Sequence, residues 1–189
     1  MILALFVLTG CASIGEEKQP QTASILIAET TDIHGALFPW DFIENRAAET
    51  SLAQVHTWMK AQKAAGRDPI LLDNGDILQG QPTVYYSNFE DTGDEHIVAT
   101  VMNYLGYSAG SVGNHDVEPG HPVFDKIVKE FEFPWLAANA VDKETDEPYF
   151  QPYAILEQQG IKIAVLGLIT PGIPNWLPQN IWEGLYFED

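Results

Sequence analysis

Ser24-Ile25-Leu26-Ile27-Ala28-Glu29-Thr30-Thr31-Asp32-Ile33-His34-Gly35 begins as a short apolar run and ends in polar, metal-binding side chains. An uninterrupted apolar run of this length suits a strand buried in a sheet. Asp32 and His34 stand two residues apart. In extended backbone such residues project to the same side, so a carboxylate and an imidazole can converge on one ion. That donor pair suits Zn, Mn, Fe or Co better than Ca or Mg. Taken alone, an Asp-x-His triplet fits a surface turn equally well.

The same sequence of apolar run and polar loop recurs twice further on. Pro69-Ile70-Leu71-Leu72-Asp73 predicts a second strand, followed by Asn74-Gly75-Asp76-Ile77-Leu78-Gln79-Gly80. Residues 109–112 predict a strand of small residues, followed by Gly113-Asn114-His115-Asp116. Helices are predicted between them. Over 51–65, Leu52, Val55, Trp58 and Met59 recur at helical spacing, and Gly66 ends the run. Over 95–105, Ile97, Val98, Val101, Met102 and Leu105 turn inward, with Gly106 as the stop. A third helix is expected over 124–131 and a strand over 135–138. Residues 153–157 and 161–168 flank Gln158-Gln159-Gly160 as a tight hairpin. Strand–helix alternation closed by a hairpin predicts an α/β fold, layered around a mixed sheet. Each polar motif falls just after a strand, where open α/β sheets place their sites.

The later motifs carry their own chemistry. Asp76 offers two oxygens that can bridge two cations, although an Asn-Gly step beside a strand is also an ordinary turn. Asn114 supplies a neutral carbonyl oxygen. His115, turned elsewhere, is then free to act on a substrate, with Asp116 fixing its tautomer. Asn and Asp are also good helix caps, which leaves the histidine between them unexplained. His56 and His96 suit helix or surface roles, and His121, after Pro119-Gly120, a loop role. Trp176, Trp182, Tyr186 and Phe187 suit packing or loop anchoring.

With 189 residues the chain has room for one domain. Its 27 acidic against 9 basic residues give a net charge of −18, which argues against a nucleic-acid polymer as partner. Small phosphorylated substrates stay open, because bound divalent cations invert the local field. The single cysteine excludes structural disulfides within the chain.

In this order and context, D-x-H, G-D and G-N-H-D resemble the calcineurin-like metallophosphoesterases, and more closely their 5′-nucleotidase / 2′,3′-cyclic-nucleotide phosphodiesterase branch. The resemblance runs from Ile25 onward and includes Asn103-Tyr104-Leu105-Gly106-Tyr107 and Leu136-Ala137-Ala138-Asn139. It implies two divalent cations. Asp32 and His34 match ligands of the first, Asp76 the bridging carboxylate, and Asn114 a ligand of the second. His115 matches the catalytic histidine near the leaving group, and Asp116 its orienting partner. The implied reaction is in-line hydrolysis of nucleotide phosphate esters by hydroxide that the cations activate. Small nucleotides are then the partners.

The family also uses a later histidine and a Gly-His-x-His segment, whereas this sequence has no histidine after His121. Residues 24–189 therefore read as the N-terminal part of a catalytic domain. The second half of the sandwich, and with it the nucleotide-clamping domain, is missing, so this stretch alone is expected to turn over poorly. A related metallohydrolase with a non-nucleotide substrate, or an inactive surface-anchored binding lipoprotein, would keep the same residues.

Residues 1–11 form an apolar run ending in Leu8-Thr9-Gly10-Cys11, which resembles the lipobox of bacterial lipoproteins. That resemblance implies export and lipid attachment at Cys11, at the periplasmic face or the cell surface. Residues 12–23 are polar and read as a flexible tether.

Overall fold

Four of the predicted strands lie side by side in one sheet of the computed structural model, which describes residues 22–189. The apolar leader, Cys11 and nearly all of the tether fall outside the described residues. In chain order the elements are β1 (Ile27–Thr30), β2 (Trp40–Asp41), β3 (Arg46–Ala47), α1 (Leu52–Ala64), β4 (Ile70–Asp73), α2 (Pro82–Phe89) and α3 (Ile97–Leu105). There follow β5 (Ala109–Ser111), α4 (Asn114–Val117), α5 (His121–Glu130), β6 (Trp135–Leu136) and β7 (Ala140–Asp142). The hairpin β8 (Tyr153–Gln158) and β9 (Ile161–Leu166), the helix α6 (Ile173–Trp176) and β10 (Leu185–Phe187) complete the fold.

The principal sheet is parallel in the order β1-β4-β5-β6, with Thr30 beside Asp73 and Asp73 beside Gly110. Each connection steps one strand in the same direction. Right-handed crossovers taken that way put the helices on one face. The burial follows: Leu71 and Trp135 join Leu52, Met59, Met102, Phe124 and Ile127 in the large core. On the opposite face Leu72, Ala109 and Leu136 meet only Ala154 and Val165 of the hairpin. The antiparallel pairs, β8-β9, β7-β10 and β2-β3, supply the mixed character.

Three readings change. The opening run is not a buried strand: β1 is an edge strand, and Ile27 is 50% exposed. Ile27 pairs with Ile70 one residue out of phase with the core-facing pair Ala28 and Leu71. It therefore points to the face that carries Leu72, where its place on the edge strand leaves it half exposed. The helix α2 was not predicted by apolar spacing. Pro82 suits its first turn, but Tyr85, Tyr86 and Phe89 all face outward while Asn88 is buried. The third predicted helix also starts earlier, so His121 opens a helix rather than lying in a loop.

His96 is fully buried and caps α3. Its Nδ1 accepts from the Val98 N–H, so Nε2 donates to Asn88 Oδ1, whose amide in turn donates to the Leu78 carbonyl. Burial holds the imidazole down to about 4, with the nearby Lys126 adding to the effect. A neutral ring thus ties α2 and α3 to the loop after β4.

Candidate metal centre

The three polar loops lie beyond the carboxyl ends of β1, β4 and β5, which are neighbours in the sheet. Asp32, His34 and Asp76 all have left-handed backbone, with φ of 52°, 48° and 62°. Each such residue costs about 1–3 kcal/mol and persists only where its surroundings over-determine it. Here the determinants are hydrogen bonds between loops. The Asp32 N–H donates to the Gly75 carbonyl at 3.0 Å and the His34 N–H to the Asp76 carbonyl at 2.9 Å, while the Gln81 N–H caps the His34 carbonyl at 3.1 Å. Asp32 and His34 converge because the chain turns at both of them, not because it is extended.

Close backbone approach explains two glycines. A Cβ on Gly113 would overlap the carboxylate and amide of Asp76, and one on Gly75 would overlap Gly113. No side chain fits between these loops.

Asp116 is completely buried and locks them together. Its Oδ2 accepts from the Asp76 and Gly113 N–H groups, both at 2.8 Å; its Oδ1 accepts from Ile77 at 2.8 Å and Leu78 at 2.9 Å. Burial pushes its carboxyl up, while the four N–H donors favour the ionised form. With both oxygens committed to backbone, Asp116 does not orient His115 as the sequence suggested. The group beside that ring is Glu118, whose Oε1 lies 2.8 Å from His115 Nδ1. The two atoms are close enough to form an ion pair whenever the ring is protonated; Nδ1 has no aligned hydrogen bond among the described residues. The i,i+3 spacing of His115 and Glu118 was the available signal.

His115 is also not turned away from the ligand candidates. His34, Asp76 and His115 each bring a ligand-type atom within 4.8 Å of the other two, and the two imidazoles meet edge to face at 5.1 Å. The His115 N–H donates to Asp76 Oδ1 at 2.9 Å, which fixes the carboxylate. His34 Nδ1 lies 3.0 Å from Gln79 Oε1, an acceptor, so Nδ1 carries the proton and Nε2 is free as a ligand. Gln79 escaped the sequence reading because nothing in its spacing marks it.

Asp32 borders this group: its Oδ1 is 3.8 Å from His34 Nε2, and its Oδ2 accepts from the Thr31 hydroxyl. Asn114 opens α4, half-buried, and makes no side-chain hydrogen bond among the described residues. The cap of that helix is closed by Asp116 through Gly113, so Asn114 is not needed for capping. His121 stands apart, donating from Nε2 to the Glu183 carbonyl, and so plays no part here.

Behind the cluster, Asp73 is buried at the end of β4. It accepts from the Thr30 hydroxyl at 2.6 Å and from the Gly75 N–H at 3.0 Å. Burial, with Asp116 and Asp76 nearby, raises its carboxyl to about 7. The His34 imidazole and the Asp76 and Asp32 carboxylates are a donor set for a borderline divalent cation, with the His115 ring beside them. The residues present fit such an ion.

No family model matches the chain. Among curated relatives, the 2′,3′-cyclic-nucleotide 2′-phosphodiesterase/3′-nucleotidase of Salmonella typhimurium is 31% identical over 173 residues, 85% of this chain and 27% of that protein. A 5′-nucleotidase of Vibrio parahaemolyticus is 35% identical over 169 residues, 86% of this chain and 28% of its own length. The chain thus spans little more than a quarter of the relatives it matches. Among solved structures, the calcineurin-like phosphoesterase YfkN from Bacillus subtilis superposes with a TM-score of 0.75 at 27% identity, over 87% of this chain and 54% of that one. Parallel sheet, loop order and sequence agree: the chain belongs to the calcineurin-like phosphoesterases.

Proposed function

We propose that the protein containing this chain hydrolyses phosphate esters of nucleotides in a metal-dependent reaction. Its substrates are 5′-mononucleotides, 2′,3′-cyclic nucleotides or nucleotide sugars. The convergence of His34, Asp76 and His115 within 4.8 Å carries the reading. The names of the relatives support the substrate class. Two divalent cations, Zn, Mn, Fe or Co, would be held by Asp32 and His34 on one side and Asn114 on the other, with Asp76 between them. Bound there, they supply an activated water and neutralise charge on the phosphoryl oxygens.

The remaining work falls to the chain's own side chains. Gln79 holds the His34 tautomer that leaves Nε2 unprotonated. Glu118 lies against His115 Nδ1, so the ring keeps Nε2 for the departing alkoxide, and the carboxylate stabilises the imidazolium that donates to it. Asp116 holds the two loops in register, and its charge never meets the substrate.

The test is phosphate release from AMP and ring opening of 2′,3′-cyclic AMP, each with and without chelator. Turnover that chelation stops and Mn or Zn restores is expected. Turnover indifferent to chelator, or none on any nucleotide, would sink the proposal. Export with lipid attachment at Cys11 belongs to the same reading; labelled palmitate should be incorporated by the native chain and lost in Cys11→Ser. No described helix is long and apolar enough to cross a membrane.

A further inference from the structure

Three buried polar side chains meet behind the metal centre, one from each of the segments that lead into its loops. Thr30 ends β1, Asp73 ends β4, and Tyr107 stands between α3 and β5. They are 8%, 4% and 5% exposed. Thr30 and Asp73 are paired across the two parallel strands, so their side chains leave on the same face. Gly106 ends α3 in left-handed backbone, and the Tyr107 ring that follows packs against Phe133, with centroids 5.8 Å apart. Its hydroxyl lies 2.8 Å from Thr30 Oγ1.

The hydrogen bonds run in one direction. Thr30 donates to Asp73 Oδ1 at 2.6 Å, and Asp73 Oδ2 accepts the Gly75 N–H at 3.0 Å. With the Thr30 proton committed to the carboxylate, the Tyr107 hydroxyl donates to Thr30. The series Tyr107, Thr30, Asp73 therefore ends on the Gly75 amide, one residue before Asp76. The Gly75 carbonyl in turn accepts the Asp32 N–H, and the Thr30 carbonyl accepts that of Asn74. Both candidate ligand loops thus hang from one buried set, with Asp32 two residues beyond Thr30 and Asp76 three beyond Asp73. Apolar side chains of the same shape would stabilise a core about as well as these polar ones. What hydrogen bonds add is direction, because they fix the angle of a peptide that apolar packing leaves free. On the metal-dependent reading above, we propose that Tyr107, Thr30 and Asp73 are positioning residues for the metal centre: they fix the spacing of Asp32 and Asp76 and with it the affinity for the cation. The Tyr107 hydroxyl, distant in sequence from every ligand candidate except the Gly-Asn-His loop, thereby acquires a task.

Cobalt is the probe, in the full-length protein that contains this chain, because its affinity and its visible absorption both report the ligands. Thr30→Val keeps the shape and removes the hydroxyl; it should weaken cobalt binding about tenfold or more and shift the absorption bands. Thr30→Ser, which restores the hydroxyl, should bind cobalt as the native protein does. Tyr107→Phe removes one oxygen and should move affinity in the same direction by a smaller factor. Phe133→Leu disturbs the same packing without touching the hydrogen bonds, so its urea midpoint should fall while the cobalt affinity and spectrum of the folded protein stay native. Native affinity and bands in Thr30→Val and Tyr107→Phe, or an equal loss in Phe133→Leu, would overturn the positioning role. If Thr30→Val does not fold, Tyr107→Phe against Phe133→Leu decides alone. A native protein that bound no cobalt would defeat the metal-centre reading itself, and the positioning role with it.

Discussion

Replacing Asp116 with asparagine separates two roles for this residue. Asparagine has the same shape but only one acceptor oxygen, and its other terminal atom is an NH2 group. Asp116 Oδ2 takes the Asp76 and Gly113 N–H groups, and Oδ1 takes those of Ile77 and Leu78. Whichever way the amide turns, two N–H donors keep an acceptor and two face another donor. Hydrogen bonds to a charged group contribute about 1.5–3 kcal/mol each, so losing two costs roughly 3–6 kcal/mol. Burying an amide in place of a carboxylate returns part of this, because burial disfavours the charged form at this site. A net loss of about 3 kcal/mol is expected. With a urea m-value of about 2 kcal/mol/M, the unfolding midpoint should fall by about 1.5 M. Metal affinity, followed by cobalt titration, should drop with it, since the loop that presents Asp76 and His115 loosens. A variant that lost turnover while its midpoint moved by less than about 0.5 M, with cobalt bound as before, would refute the structural role. It would restore Asp116 as a partner of His115.

Four further outcomes are expected. Asp73 is raised to about 7 in the fold against 3.8 unfolded, so the folded state holds the extra proton and stability contributed at low pH is lost as pH rises from about 4 to 7. In chelated protein Asp73→Asn, which can turn its oxygen to the Gly75 N–H and its amide to Thr30, should remove roughly 4 kcal/mol of that downward slope in urea melts across this range. His96 works the other way: lowered to about 4, it contributes stability that is complete above about 6.5 and lost as pH falls, and His96→Asn should flatten that acid limb by roughly 3 kcal/mol at most. Glu118→Gln should lower turnover about 10–100-fold with bound metal, measured by atomic absorption, unchanged. Gly113→Ala drives a methyl into the Asp76 carboxylate and amide and should cost about 2–4 kcal/mol in thermal or urea unfolding, despite its small size.

How far the sequence carries can be followed residue by residue. The strands at Ile70–Asp73 and Ala109–Ser111 and the helices at Leu52–Ala64 and Ile97–Leu105 follow from apolar spacing and from glycine stops, because those patterns are local. Edge position is not local: nothing within Ile25-Leu26-Ile27 tells that its neighbour lies on one side only. The helix α2 hides for a related reason. Its exposed aromatics break the apolar stripe that announces a helix, and only Val84 and Asn88 face inward. At the site, Asp32, His34, Asp76, Asn114 and His115 were legible as residue types in order, whereas their partners were not.

What the sequence determined by itself was the inventory: strands ending in Asp-x-His, Gly-Asp and Gly-Asn-His-Asp, and therefore the α/β class and the metal-binding chemistry. Only the tertiary structure decided who touches whom. Asp116 follows His115 directly, yet its carboxylate reaches back to the loop after β4, about forty residues earlier. His34 takes its tautomer from Gln79, and His115 takes Glu118 as its neighbour. The physical reason lies in the crossing loops. Left-handed backbone at Asp32, His34 and Asp76, and glycines too crowded to carry a Cβ, aim each side chain in directions that no periodicity of strand or helix encodes.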